Sequence, residues 1–338
     1  MGQENLPGYI QYLMDAGSYP HPVDEVRLLQ THISFVVLAG EYVYKWKKPV
    51  NLGFLDFSTL GERKYFCEQE LILNRRLCPE VYLNVVHIAR QGHSFCLNGT
   101  GEVVEYGVRM ARLPEDRMMD KVVERRQLCE SDIDRIIARL VPFYQGAVKS
   151  DAVKKFGSAK AVAANVLENL IQVEPLIDND ILGREQFERI RDFSASFLKR
   201  EDLFELRMDD GRVCDCHGDL HCGNICLTDT VCIFDCIEFS DRLRCGDVAA
   251  DVAFLAMDLD LHGQVKLSGY FIERFIDRSE DPGLLTMLDF YKCYRACVRG
   301  KINLLTAVTP ALDADVSVQC RAQAKRCFAL ALGYIPTL

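Results

Sequence analysis

A chain of 338 residues is long enough for one large two-part domain or two ordinary ones. Its 49% hydrophobic and 26% charged residues exclude a disordered chain, and no apolar run reaches the roughly 20 residues of a membrane helix. The 40 basic and 49 acidic residues give a formal charge of −9, so nucleic acid is not expected as the main partner. The opening MGQENLPGYIQYLMDAG lacks a basic start followed by an apolar core, and the sixth position is Leu6, so neither a secretory signal nor a lipidation pattern is expected. Fifteen cysteines, many inside apolar runs, are expected to be reduced thiols, which points to the cytoplasm.

In chain order, a helix is expected near Leu6–Ala16. HISFVVL and EYVYKWK read as strands joined by a tight hairpin at Ala39-Gly40. STLGERKYFCEQELILNRRL opens on a Ser/Thr cap and carries apolar residues at helical spacing. VYLNVVHIA, SFCLNG and VVEYGVRMARL read as further strands. Beyond Pro114 long helical patterns take over, at Ser131–Ala147, Ala161–Ile177 and Arg184–Lys199, and again from Asp247 onward. The expected architecture is α+β: a small β-rich N-lobe over 1–112 and a larger helical C-lobe over 113–338, with a ligand cleft between them.

Between those helices stands CDCHGDLHCGNICLTDTVCIFDCIEF, residues 214–239. Its spacing H-x-D-x-x-x-x-N (His217, Asp219, Asn224) has a chemical logic. An aspartate on a rigid loop accepts the proton of an incoming hydroxyl, and an amide five residues on reaches a magnesium ion. A hairpin over ICL-TDT-VCIFD would return Asp235 beside Asn224 and add the carboxylate that magnesium favours. Taken singly, Asp219 or Asp235 reads equally well as a loop cap or turn former. The cysteines and histidines here could be imagined as zinc ligands, but they lack the paired knuckle spacing of zinc sites. That reading also leaves Asp219, Asn224 and Asp235 unexplained, so the cysteines are read as packing.

HGDLHCGNI followed by FDCIEF resembles the aminoglycoside phosphotransferase family, where histidine-glycine-aspartate replaces the histidine-arginine-aspartate of protein kinases. THISFVVLAGEYVYKWKKPVNLGFLDFSTL, CHGDLH and GDVAADVAFLAMDLD resemble a bacterial branch of that family with no established substrate, sometimes fused to a P-loop ATPase-like domain. The resemblance covers nearly the whole chain and implies a bilobed protein-kinase-like fold that uses ATP and magnesium. It makes Asp219 the catalytic base, Asn224 and Asp235 the Mg2+ ligands, His217 a loop brace and Asp251 the anchor beneath the loop. Asp247 reads as a helix cap. For His221, a phosphate contact and a structural role both stand.

No G-x-x-x-x-G-K-[ST] loop and no G-x-G-x-x-G loop occurs in the chain. Thr31, His32 and Ser34 are therefore expected to cover the phosphates with hydroxyls and backbone N–H groups. Strand alternation puts Lys45 and Lys47 on one face. Lys45, taken as deeper in the apolar run, is expected to meet the α- and β-phosphates, with Lys47 second; a solvated lysine face is the alternative. Glu70 is expected to orient the lysine, with Glu68 as fallback. Backbone near Met110–Arg112 would either meet adenine or serve only as a connector.

These expectations describe an enzyme that moves the γ-phosphoryl group of ATP to a hydroxyl of a small acceptor. A nucleotide-binding pseudokinase that regulates a partner, such as the P-loop ATPase-like domain, is the alternative. No DFG or APE signature supports a protein kinase. No nucleic acid and no membrane are expected as partners.

Overall fold

The computed structural model describes residues 6–178, 180–308 and 314–336. The chain divides into two units, Met1–Met118 with Cys226–Ser240, and Met119–Ile225 with Asp241–Leu338. The first opens with α1 (Gly8–Leu13), shorter than the expected Leu6–Ala16 and followed by a 3-10 turn at Ala16–Ser18. Strands β1 (Val26–Gln30), β2 (Ser34–Ala39) and β3 (Tyr42–Lys47) follow, then α2 (Leu60–Asn74), β4 (Tyr82–Gln91), β5 (Ser94–Leu97) and β6 (Glu102–Ala111). They form one antiparallel sheet in the order β1-β2-β3-β6-β4-β5. The sequence reading has no counterpart for β1, whose VRLLQ lacks alternation between apolar and polar residues.

Alternation along β3 builds two cores. Tyr44 and Trp46 enter one cluster with Ile10, Leu13, Phe35, Val37, Val86 and Ile88. Val43 joins the other, with Cys67, Tyr82, Val108 and Met110, against which α2 packs. Lys45 and Lys47 share the phase of Val43, so period 2 alone delivers both ammonium groups to the helix side. Helix α2 starts where Thr59 Oγ1 accepts from the backbone N of Glu62 at 3.1 Å, an N-cap that satisfies one of the helix's orphan donors. The β2–β3 turn needs Gly40: its φ is +58°, and a Cβ there would meet the carbonyl of Pro22 at 2.7 Å.

The second unit begins with α3 (Met119–Glu124), α4 (Glu130–Gly146), α5 (Asp151–Lys154), α6 (Ala159–Val173), α7 (Arg184–Leu198) and α8 (Glu201–Asp209), then β7 (Val213–Asp215). Strands β8 (Ile225–Cys226) and β9 (Cys232–Ile233) form a two-stranded hairpin. The chain continues through α9 (Asp241–Arg244), β10 (Cys245–Asp247), α10 (Val248–Leu261), α11 (Val265–Ser279), α12 (Leu284–Ala307) and α13 (Ala314–Gly333). β10 pairs antiparallel with β7, Asp247 opposite Val213 and Cys245 opposite Asp215. Helix α10 is buried on every side, so the two carboxylates it hides, Asp251 and Asp258, must find partners inside.

The segment Cys226–Ser240 belongs with the first unit. Leu227 N donates to the carbonyl of Arg117 at 2.8 Å, and the Arg117 Nε donates back to the carbonyl of Leu227 at 2.9 Å. Cys226, Cys232 and Phe234 join the α2-side core. No described helix is long and apolar enough to cross a membrane.

Candidate active site

In the second unit, β7 delivers the chain into a loop that ends in a 3-10 turn at Cys222–Asn224. This loop has no ladder of its own, and α10 supplies its hydrogen bonds. Asp251 Oδ2 accepts from His217 N at 2.8 Å and Oδ1 accepts from Gly218 N at 3.0 Å. The Tyr144 hydroxyl donates to the same carboxylate at 3.1 Å. Two turns further along the helix, Asp258 Oδ2 accepts from Cys222 N at 2.9 Å. Gly218 sits at φ +86°, which lets the chain turn between the buried His217 and the half-open Asp219.

Asp219 is the centre of this loop. Its backbone N donates to His217 Nδ1 at 3.3 Å. Asn224 Nδ2 donates to the Asp219 carbonyl at 3.0 Å and to its Oδ2 at 3.2 Å, which leaves the amide oxygen for another partner. His221 Nε2 lies 3.5 Å from Asp219 Oδ2, while its Nδ1 accepts from Gly223 N at 3.1 Å. Of the two roles read for His221, these contacts are structural. Burial favours the neutral acid at Asp219, but His221, by charge and hydrogen bond, and then Arg299 and His217 outweigh it and hold the carboxyl well below the usual range. The side chain is 38% exposed, so an ionised oxygen faces solvent. Asp247 does cap α10, its Oδ1 accepting from Ala249 N at 2.9 Å, and it also pairs with the buried Arg207 at 2.7 Å.

The first unit gathers a second set of charges. Glu70, fully buried on α2, is shared: Oε1 lies 2.9 Å from Lys45 Nζ, and Oε2 accepts from Lys47 Nζ at 2.7 Å. Lys45 also pairs with Asp235, and Lys47 with Glu238. Lys47, not Lys45, is the deeper lysine: its side chain is 1% exposed against 15%, and it lies over the Phe57 ring. Both lysines therefore reach Glu70, whereas Glu68 faces outward at 3.9 Å from Lys64. Burial opposes the charge on Glu70, yet Lys45 and then Lys47 overcome it and bring the carboxyl down to about 2. At Glu238, burial prevails and the carboxyl is raised, Lys47 opposing and Glu70 reinforcing the shift.

Asp235 is held without a strand around it. It adopts φ +62°, costly for a residue with a Cβ, while its N donates to the Tyr82 hydroxyl at 3.1 Å. Next to it, Cys236 N donates to Asn74 Oδ1 at 2.8 Å, and Asn74 Nδ2 donates to the Glu70 carbonyl at 2.9 Å. Glu70 and Asn74, one turn apart on α2, thus hold lysines and return segment together. The Asp235 side chain is 44% exposed. Two ammonium groups face three carboxylates, a surplus of one negative charge with a hard-oxygen ligand left open. That donor set suits magnesium, which takes one or two carboxylates and fills its remaining positions with water and phosphate oxygens.

The expected nucleotide cover, Thr31 to Ser34, is a tight turn bonded within itself. Thr31 Oγ1 accepts from Ser34 N at 2.9 Å and from Ile33 N at 3.3 Å, and Thr31 N donates to the Ser34 carbonyl at 2.9 Å. The turn spends three of its four N–H groups on itself. His32 is exposed, and Ser34 is buried with its hydroxyl lacking a hydrogen-bond partner. Met110 is paired on both sides, opposite Val43 and Tyr82. Ala111 N donates to the Val81 carbonyl and Arg112 N to that of Glu41, so both N–H groups are taken within the first unit. None of the fifteen cysteines forms a disulfide, and twelve are buried. Burial pushes the Cys67 thiol, near Lys47, up to about 12, and Cys245 likewise. Among the described residues no three His, Cys, Asp or Glu side chains gather as metal ligands.

Residues that sequence reading missed are Glu238, Tyr82, Asn74 and Asp258. Asn74 and Asp258 stand at helical spacing from Glu70 and Asp251, a signal that could have found them; Glu238 and Tyr82 carry none.

Residues 165–287 match the model of the phosphotransferase enzyme family, a stretch that includes His217, Asp219, Asn224, Asp235 and Asp251. Uncharacterized proteins of Mycobacterium tuberculosis (strain ATCC 25618 / H37Rv) and Mycobacterium bovis (strain ATCC BAA-935 / AF2122/97) are each 34% identical over 288 residues, 84% of this chain. The chain spans only 56% of the length of these curated relatives. Among solved structures, a choline/ethanolamine kinase family protein of Mesorhizobium loti is similar with a TM-score of 0.51 and 13% identity, covering 94% of this chain and 93% of that one. An amicoumacin kinase in complex with AMP-PNP, Ca2+ and Ami gives a TM-score of 0.52 at 12% identity over 96% and 94%. A choline kinase of Streptococcus pneumoniae gives 0.50 at 15% identity over 96% and 99%. At such identities the likeness concerns the fold, which is α+β and protein-kinase-like. The matched segment carries the loop residues and the fold is shared over most of the chain, so the protein is similar to the aminoglycoside phosphotransferase-like, kinase-like family.

Proposed function

We propose that the protein is an ATP- and Mg2+-dependent phosphotransferase that moves the γ-phosphoryl group to a hydroxyl of a small-molecule acceptor. The observation that carries this reading is the Asp219–Asn224 pair: an ionised carboxylate open to solvent, on a loop pinned by Asp251, beside an amide whose oxygen remains unspent. Asp219 receives the acceptor hydroxyl as a hydrogen-bond donor and orients its lone pair. Because its carboxyl is held low, it takes the proton late, as the new P–O bond forms. Lys45, kept charged by Asp235 and Glu70 against its burial, meets phosphate oxygens. Asn224 and Asp235 would hold the magnesium ion, which supplies charge neutralisation on the phosphates.

An all-thiol chain fits a reducing cytoplasm. A P-loop ATPase-like partner is tested by co-purification with such a domain. The central test compares Mg2+-dependent ATP hydrolysis of the natural chain and Asp219→Ala. A loss of about 100-fold or more is expected for a removed general base. Equal rates would overturn the enzyme reading in favour of a nucleotide-binding regulator.

A further inference from the structure

The first unit contains one more buried ion pair than an oriented phosphate lysine requires. Lys47 and Glu238 have side chains 1% and 5% exposed, and lie 191 positions apart in sequence. Burying such a pair costs more desolvation than its attraction generally returns, so stability is a weak reason for its presence. Its surroundings suggest another. The charges form an alternating chain, Glu238–Lys47–Glu70–Lys45–Asp235, in which each member touches the next. The two end members lie on the same irregular segment, only three residues apart, and the chain closes on itself.

We infer that the Lys47–Glu238 pair sets how Lys45 divides between Glu70 and Asp235, and through that division tunes the affinity of Asp235 for a divalent cation. This rests on the reading of Asp235 as a cation ligand. While Glu238 occupies Lys47, one oxygen of Glu70 remains for Lys45, at 2.9 Å. Without Glu238, Lys47 draws on Glu70 alone. Lys45 then leans on Asp235 and competes with the cation. Without Lys47 the reverse holds: Glu70 turns wholly to Lys45 and Asp235 is released. Glu238 and Lys47 are thus positioning residues with opposite effects on the same ligand. A structural pair would not behave so, because removing either side of it moves a measured property in one direction.

The test is Mg2+-dependent binding of AMP-PNP, followed by calorimetry over a Mg2+ titration, with melting temperature as a fold control. Glu238→Ala is expected to raise the Mg2+ concentration at half-saturation about tenfold, the size seen when a group behind a metal ligand is removed. Lys47→Met is expected to lower it severalfold. If Glu238→Ala does not fold, Glu238→Gln keeps the shape, removes the charge, and is expected to shift in the same upward direction. Shifts of equal sign for the two sites, or no shift in folded variants, overturn the inference while leaving the proposed function standing. A natural chain that binds no AMP-PNP at any Mg2+ concentration overturns the proposed function itself.

Discussion

Replacing Asp251 with alanine strips three donors of their acceptor at once. The carboxylate is 1% exposed and takes hydrogen bonds from His217 N, Gly218 N and the Tyr144 hydroxyl, at 2.8, 3.0 and 3.1 Å. Each buried donor left unsatisfied costs about 1–3 kcal/mol, and the tyrosine hydroxyl can rotate toward another partner, so the total is roughly 3–6 kcal/mol. Arg295, 3.8 Å away, also loses a counter-charge. In a unit of about 200 residues each kcal/mol lowers the melting temperature by roughly 2–4 °C, so a drop of at least about 6 °C is expected by scanning calorimetry. Asp251→Asn keeps the shape and one acceptor but turns an NH2 toward a backbone N–H, so about half that loss is expected. Both variants should also lose Mg2+-dependent ATP hydrolysis, since a loop displaced by ~1 Å costs about 100-fold in rate. A shift below ~2 °C for the alanine variant, with hydrolysis intact, would show that the loop holds itself and that α10 merely lies beneath it.

The remaining tests concern the first unit and the thiols. Glu70, brought down to about 2, stabilises the fold at pH above its unfolded value near 4.5, and this contribution is lost as pH falls through about 2. Urea unfolding at pH 3 should therefore show a loss on the order of 2 kcal/mol relative to pH 6, which Glu70→Gln abolishes. Gly107→Ala places a methyl 2.6 Å from the buried Trp46 ring and 2.9 Å from the Lys45 carbonyl, and should cost about 1–3 kcal/mol through overpacking, read as a lower urea midpoint. With a thiol reagent on the folded protein, exposed Cys129 should react first and half-buried Cys96 and Cys320 more slowly; the twelve buried thiols should react only on unfolding.

The loop that carries Asp219 was legible because its spacing is local. His217, Asp219 and Asn224 lie within eight positions, and their mutual hydrogen bonds are fixed by that spacing. Asp251 was legible for a related reason, since β10 pairs with β7 and sets the start of α10 beneath the loop. The lysines followed from alternation along β3, although the relative depth of Lys45 and Lys47 did not, because depth depends on what covers the strand end. Phe57 and Glu238 cover Lys47, and neither announces itself in a hydrophobic pattern. The inner bonding of the Thr31–Ser34 turn was not legible either: Thr31 spends its hydroxyl on its own turn, as Ser and Thr side chains do when a nearby N–H is free. Glu238 shows the limit most clearly. Two residues of FDCIEF, Asp235 and Glu238, carry equal formal charge, yet one is open to solvent and the other is buried, which raises its carboxyl. What separates them is the return of Cys226–Ser240 to a strand whose lysines lie 190 and 191 positions earlier, a long-range pairing that no window along the chain contains. Since the proposed cation ligand and its tuning partner both lie on that segment, the chemistry least visible in the sequence is the part that depends on this long-range pairing.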